Sequence, residues 1–226
     1  MKSISIINLL YLLIPVGVVA LFYFKWIGEK KEVLLASLRM IIQLLIIGYL
    51  LDYIFNAKSS LLTLFIVFVM IVMASFIALR NISLKNRRVY IDIFVSIFFS
   101  GIINLFFVIF FVLELHSLNS PRFVIPIAGM IFMNCMNAVS LVAERFEKEI
   151  KNNSYEVARA NSFKASLIPQ INSFLAVGLV SLPGMMTGQI LSGVDPIIAV
   201  RYQIMVMFMV LGSAGISSIL YLLQKK

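Results

Sequence analysis

Long apolar runs separated by short polar connectors repeat along the whole chain. Seven runs reach spanning length: Ile4 to Phe24, Val33 to Phe55, Leu61 to Leu79, Ile91 to Leu113, Phe123 to Ala143, Ile171 to Ile190 and Ile197 to Leu223. A helix needs about 20 apolar residues to cross the hydrocarbon core. The pattern therefore predicts an all-α integral membrane protein of about seven transmembrane helices, with residues 1–226 forming one transmembrane domain. One polar stretch, residues 144–165, is long enough to form a substantial loop outside the bilayer.

Composition agrees, with 62% hydrophobic and 13% charged residues, far from the balance of soluble domains. The distribution of charge then orients the spans. Lys25, Lys30 and Lys31 follow the first span, and Arg80, Lys85, Arg87 and Arg88 follow the third. Arg145, Lys148, Lys151, Arg159 and Lys164 follow the fifth, and Lys225 and Lys226 end the chain. Basic residues favour cytoplasmic loops, so the N-terminus is expected outside and the C-terminus in the cytoplasm. The net charge of +9 is thereby read as topogenic, with the lipid bilayer and its anionic headgroups as the contact and no nucleic-acid partner. The first run loosely resembles a signal peptide, but Pro15 and Gly17 interrupt it and the charge balance needs it retained as a helix. The single cysteine, Cys135, falls inside the fifth span and is read as packing. No glycine-rich phosphate loop ending in Gly-Lys-Ser or Gly-Lys-Thr occurs, so ATP with Mg would be bound by a partner and this chain is expected to hold no cofactor.

Ser181 to Gln203, SLPGMMTGQILSGVDPIIAVRYQ, breaks the apolar pattern. Backbone freed by Pro or Gly at membrane depth must find partners in protein or in a wet cavity, which makes this stretch a candidate site. Pro183 removes an intrahelical hydrogen bond and clashes with the preceding turn. A kink in the sixth span is expected there, orienting Gly184, Met185, Met186, Thr187 and Gln189 along a path or gate. Asp195, Arg201 and Gln203 fall at the outer rim, and their shared depth predicts an Asp195 to Arg201 ion pair closing that end. Met185, Met186, Met205, Met207 and Met209 invite a soft-metal reading, but are read as flexible packing at moving helix interfaces. A hard metal would need carboxylates at membrane depth, where Asp195 and Asp92 lie only near the surfaces, so no metal-ligating set is assigned.

Polar residues in other spans add candidates. Arg39 and Gln43 share one face of the second span. Arg39 lies about 9 Å beyond Val33, where it either snorkels to headgroups or pairs internally, Asp92 being the nearest carboxylate by depth. Span three is almost wholly apolar and is expected at the periphery. In span four Ser96, Ser100 and Gly101 suit close helix contact, and Asn104 requires a hydrogen bond. Asn134 and Asn137 share a face of span five, where amides either bond across helices or line a wet path. Glu114 and His116 make two residues of a metal pair and otherwise read as loop charges. In the 144–165 loop, alternating charge supports an exposed helix, Asn152 and Asn153 end it, and Ser154 caps a short helix over Tyr155 to Phe163.

Several strings resemble one family: RMIIQL at Arg39 to Leu44, IPIAGMI at Ile125 to Ile131, ASLIP at Ala165 to Pro169, VGLVSLPGMMTGQILSGVDP at Val177 to Pro196 and AVRYQIMVMF at Ala199 to Phe208. Together they are similar to the FetB-type iron-export ABC transporter permeases, related to plant aluminium-sensitivity permeases. The resemblance implies a homodimeric permease in the bacterial cytoplasmic (inner) membrane, paired with a separate cytoplasmic ABC ATPase and exporting iron or a related metal species. It would place ATPase coupling on the short helix carrying Tyr155, Glu156, Arg159 and Lys164. Two features depart from the family pattern. The loop before ASLIP is shorter by roughly a helix and a turn, with Glu156 to Ala160 the nearest counterpart of the docking turn, and Leu175 stands where a lysine is often found.

The expected function is thus a transport permease without catalytic residues of its own. The alternatives are an ATP-independent membrane transporter or channel, whose acidic intramembrane residues or inverted repeat are not seen, and a non-transporting membrane assembly partner. No Ser/His or paired-Asp constellation supports an intramembrane enzyme.

Overall fold

The computed structural model describes residues 5–28, 31–57, 59–80, 82, 86–115 and 120–226. Its helices are α1 (Ile6–Leu10), α2 (Leu13–Ile27), α3 (Glu32–Ala57), α4 (Ser60–Leu79), α5 (Arg87–Phe106, continued as a π-helix over Phe107–Val112), α6 (Pro121–Glu149), α7 (Tyr155–Ala176), α8 (Gly184–Leu191) and α9 (Pro196–Leu223). Among the described residues, six segments are long and apolar enough to cross a membrane: Ile7–Ile27, Glu32–Phe55, Ser60–Leu79, Arg87–Val112, Pro121–Glu149 and Pro196–Leu223. These match six of the seven predicted spans. His116 lies outside the described residues.

The chain divides into two compact units, Met1–Ala57 and Lys58–Lys226. In the first, α1 stops before Pro15, whose ring is incompatible with a continuous helix through the Tyr11 carbonyl, and α2 resumes after a turn at Tyr11 and Leu12. The Tyr23 hydroxyl donates to the Glu32 carboxylate, joining the end of α2 to the start of α3. Arg39 and Gln43 lie on α3.

In the second unit α6 is central, with α4, α5, α7 and α9 all packed on it. Lipid is as apolar as a leucine side chain, so helices in a membrane associate through close packing and hydrogen bonds rather than hydrophobic burial. The α5–α6–α9 seam is built in that way. Ser96, Ser100, Cys135, Ala138, Ser213, Ala214 and Ser217 are all fully buried. The Ser100 hydroxyl donates across to the Ser213 carbonyl at 2.9 Å, and the Cys135 thiol lies 3.5 Å from the same carbonyl. Gly101 faces the Phe132 ring so closely that an added Cβ would stand 2.1 Å from Phe132 Cε1. The small residues of span four thus make the close contact expected of them, while the Asn104 amide donates within its own helix to the Ser100 carbonyl at 2.8 Å. On α4 one stripe, Thr63, Val67, Ile71, Ala74, Ser75 and Ala78, is buried, and most of the remaining circumference is exposed.

One end of this bundle gathers polar groups. Lys225 Nζ meets Asp92 Oδ2 at 2.5 Å, and Gln224 Nε2 donates to Ser96 Oγ at 2.9 Å. The Tyr155 hydroxyl donates to the Leu222 carbonyl at 2.9 Å. The start of α5, the start of α7 and the end of α9 therefore share a level. The carboxylate considered for Arg39 is engaged by Lys225.

The segment expected as the sixth span, Ile171 to Ile190, is not one helix. α7 already begins at Tyr155 and runs through Pro169 to Ala176, so the short helix expected over Tyr155 to Phe163 is the first part of a longer rod. Ser154 occupies its N-cap position without a side-chain cap bond. The helix then stops, and a tight turn over residues 177–181, with a parallel bridge between Val177 and Ser181, leads the chain to α8. From the level of Leu222, α7 and α8 carry it to the opposite end of α9 in two pieces.

Candidate functional site

The break between α7 and α8 is made by a glycine turn. Gly178 adopts φ +81°, a left-handed conformation that costs an L-residue about 1–2 kcal/mol. The Gly178 N–H donates to the Ser181 carbonyl at 3.0 Å, and the Val180 N–H to the Ala176 carbonyl at 2.8 Å. Pro183 follows at the N-cap of α8, with φ −61° and ψ 143°. There its missing N–H is harmless and its carbonyl is free to accept, which it does from Thr187 N at 2.9 Å and Thr187 Oγ1 at 3.0 Å. Pro183 therefore starts a helix and does not kink one, which corrects the expectation above.

α8 closes with a paired carbonyl cap. Gly193, at φ +90°, donates to the Ile190 carbonyl at 2.9 Å, and Val194 donates to the Gln189 carbonyl at 3.0 Å, the Schellman arrangement. Asp195 then caps α9, its Oδ1 accepting from Ile197 N at 2.9 Å and Ile198 N at 3.3 Å. The carboxylate expected to pair with Arg201 is used in this way, and Arg201 is exposed with no ion pair to it among the described residues.

Two cavities flank α7. An apolar groove of about 270 Å³ lies between the glycine turn and α9, lined by Phe174, Leu182, Pro183, Met186, Gln203 and Met207 among others. A polar cleft of about 380 Å³ lies between α6, α7 and α9, lined by Asn134, Asn137, Ser140, Leu141, Pro169, Gln170, Ser173 and Val210. Pro169 carries no N–H for the Ala165 carbonyl. Ser173 Oγ donates to the Pro169 carbonyl at 2.9 Å, and Asn134 Nδ2 donates to the Met130 carbonyl at 2.8 Å. Gln170 is only 6% exposed, and its Oε1 has no partner, as is also true of Gln189 Oε1 and Gln203 Oε1. A buried acceptor left unsatisfied costs about 1–3 kcal/mol.

The structure thus brings Asn134 and Asn137 together in the polar cleft, and Pro183, Met186 and Gln203 together in the apolar groove. Gly184, Met185, Thr187 and Gln189 lie on α8 outside the lining of either. Met209 is buried and Met205 packs against the core, in keeping with the packing reading of the methionines. No group of three or more His, Cys, Asp or Glu gathers among the described residues. At the polar end, the Arg159 guanidinium stacks 5.5 Å from the Tyr155 ring, while Glu156, Arg159 and Lys164 are exposed. Sequence reasoning missed Ser140, Pro169, Gln170 and Ser173. For the last three the signal was available in LIPQINS, where a proline is followed by an amide and, four residues on from the proline, a hydroxyl.

Comparison with known proteins gives a family. Residues 6–160 and 156–225 match the profile of the "Uncharacterised protein family (UPF0014)". The two matched segments overlap over Glu156 to Ala160, in the first turns of α7. The chain is 32% identical over 217 residues to the UPF0014 membrane protein slr1647 of Synechocystis, covering 89% of this chain and 84% of that one. It is 36% identical over 218 residues to the probable iron export permease protein FetB of Escherichia coli, covering 87% and 82%. It is 31% identical over 217 residues to the protein ALUMINUM SENSITIVE 3 of Arabidopsis thaliana, covering 89% and 78%. No solved structure matches the chain.

Proposed function

Because this chain belongs to the UPF0014 family of membrane proteins, we propose that it is the permease subunit of an ABC-type exporter. It moves iron or a related metal species out of the bacterial cytoplasm, and a separate ATPase supplies the energy. The observation that carries this reading is the polar cleft of Asn134, Asn137, Gln170 and Ser173 between α6, α7 and α9. The 36% identity to a probable iron export permease supports the choice of cargo.

The arrangement supports a mechanism. α7 begins at the polar end beside Leu222 and reaches the cleft at Pro169 and Gln170, about 21 Å along one rod at the helical rise. Force delivered by an ATPase at Tyr155, Glu156, Arg159 and Lys164 is carried directly to the cleft wall, and the glycine turn after Ala176 lets α7 move without dragging α8. Two protomers enclose the path. The shared level of Arg87, Arg88, Lys225 and Tyr155 supports a cytoplasmic placement for that end.

The test is co-expression with the ATPase of the native host, followed by co-purification and iron uptake into inside-out vesicles of the bacterial inner membrane. ATP-dependent accumulation that needs both subunits is expected. ATP hydrolysis by the complex without movement of iron would retain the transporter and remove the cargo. Absence of any ATPase complex would favour an ATP-independent transporter or an assembly partner.

A further inference from the structure

We infer that the apolar groove beside the glycine turn binds one anionic phospholipid, its phosphate on Arg201 and an acyl chain lying in the groove. The site needs only that α9 spans the membrane, and it does not depend on the cargo. On α9, Ile197, Arg201, Ile204 and Phe208 fall at i, i+4, i+7 and i+11, one face of the helix, and all four are exposed. Ile204 and Phe208 also line the groove, so the face that carries the guanidinium runs into it. Where the groove reaches farthest along α9, Phe174 of α7 meets Phe208 with ring centroids 6.1 Å apart. Depth fits a lipid. α9 has 28 residues and is about 42 Å long, against about 30 Å of hydrocarbon. Centred in the bilayer, it puts the Arg201 backbone about 2 Å inside the hydrocarbon boundary, from where the side chain reaches headgroup level. Val200 to Phe208 then carry the groove about 12 Å toward the midplane, within the roughly 15 Å of one hydrocarbon leaflet. That is the course of an acyl chain.

Charge selects the headgroup. Among the described residues Arg201 makes no ion pair, and Asp195, the carboxylate at the same end of α9, accepts from the Ile197 and Ile198 N–H groups. A guanidinium at the edge of hydrocarbon is costly without a counter-charge, and a phosphate matches its planar fork with two parallel hydrogen bonds. A zwitterionic headgroup brings its own ammonium to offset the phosphate, whereas a net anionic one leaves that charge for Arg201. Gln203 supplies a polar contact inside the groove: it is 8% exposed, belongs to the lining, and its Oε1 has no partner. It lies about 3 Å deeper than Arg201 along α9, the level of the glycerol backbone when the phosphate sits on the guanidinium. Half a turn of its terminal amide puts an N–H at the unpartnered position, where a lipid ester carbonyl accepts it.

The experiment uses the full chain in phosphatidylcholine nanodiscs doped with phosphatidylglycerol or phosphatidylcholine that carries a photoreactive diazirine on its acyl chain. Irradiation followed by peptide mass spectrometry locates the label. The phosphatidylglycerol probe is expected to label Phe174, Met207 or Phe208 about tenfold more strongly than the phosphatidylcholine probe, and Arg201→Gln should remove that advantage, the loss for a hydrogen bond to a charged group. Arg201→Lys should retain part of it. Gln203→Leu should lower the labelling by about two- to tenfold, the loss of a neutral hydrogen bond. Unfolding curves identify correctly folded variants. Equal labelling by the two probes, or labelling that folded Arg201→Gln leaves unchanged, would overturn the inference, since any surrounding lipid would then serve. Disulfide-linked dimers of Phe208→Cys with no lipid label in the groove would give this face to a second copy of the chain and overturn it as well.

Discussion

Replacing Gly101 with alanine places a methyl carbon 2.1 Å from Phe132 Cε1 and 2.7 Å from Cδ1. Ordinary contact begins near 3.4 Å, so the ring must withdraw by roughly 1.3 Å, a displacement of the overpacking kind. Phe132 is 2% exposed in the centre of the core, which leaves the ring little room. Overpacking of this kind costs about 1–3 kcal/mol. Alanine also favours a helix over glycine by up to about 1 kcal/mol, a gain the clash conceals. Phe132→Ala alone should cost about 3–5 kcal/mol. In that background the methyl enters the vacated space, so Gly101→Ala should become neutral or stabilising by up to about 1 kcal/mol. Equilibrium unfolding in mixed micelles, run on the four proteins of the cycle, reads this change of sign. If Gly101→Ala shifts stability equally in both backgrounds, within about 0.5 kcal/mol, the two residues are not coupled and the proposed basis of the α5–α6 approach is refuted.

Asp92 and Lys225 keep 11% and 18% of their side chains exposed; Asp92→Asn or Lys225→Met should destabilise by about 1–3 kcal/mol, and exchanging the two charges should restore part of the loss in the same unfolding assay. Asp195→Ala should cost about 1 kcal/mol through loss of the α9 cap, with Asn largely tolerated. Arg201→Ala should change stability by less than about 0.5 kcal/mol, and an equal effect of the two substitutions would revive an Asp195–Arg201 pair. Gly178→Ala should cost about 1–2 kcal/mol because of its left-handed backbone, measured by thermal unfolding in detergent.

The spans were legible because lipid exposure and hydropathy are the same property. α4 shows this directly, with its apolar circumference read correctly and a single buried stripe. Asn134 and Asn137 were placed on one face because helical periodicity suffices for that, and both line the cleft. α7 was misread for the complementary reason. Its first half is polar and its second half is interrupted by Pro169, so a hydropathy scan starts the span at Ile171 and leaves Pro169 and Gln170 at an assumed boundary. Hydropathy reports what faces lipid, whereas these residues face a protein cleft.

The Pro183 error has a different physical origin. A proline within an apolar run can kink a continuous helix or begin a new one, and the choice depends on whether the preceding helix has already stopped. Gly178, in the left-handed region, makes that stop possible, and the Gly178 to Ser181 hydrogen bond closes the turn. Pro183 then has no helical carbonyl to obstruct and supplies one that Thr187 uses. VGLVSLPG is therefore one structural device, a stop followed by a start. Without the stop, a thrust along α7 would be shared by α8; with it, the movement is concentrated on the Pro169–Gln170 wall of the cleft. On the proposed reading, the break serves transport by separating the rod that moves from the short helix that stays, and the moving wall is the one that carries the unpartnered acceptor.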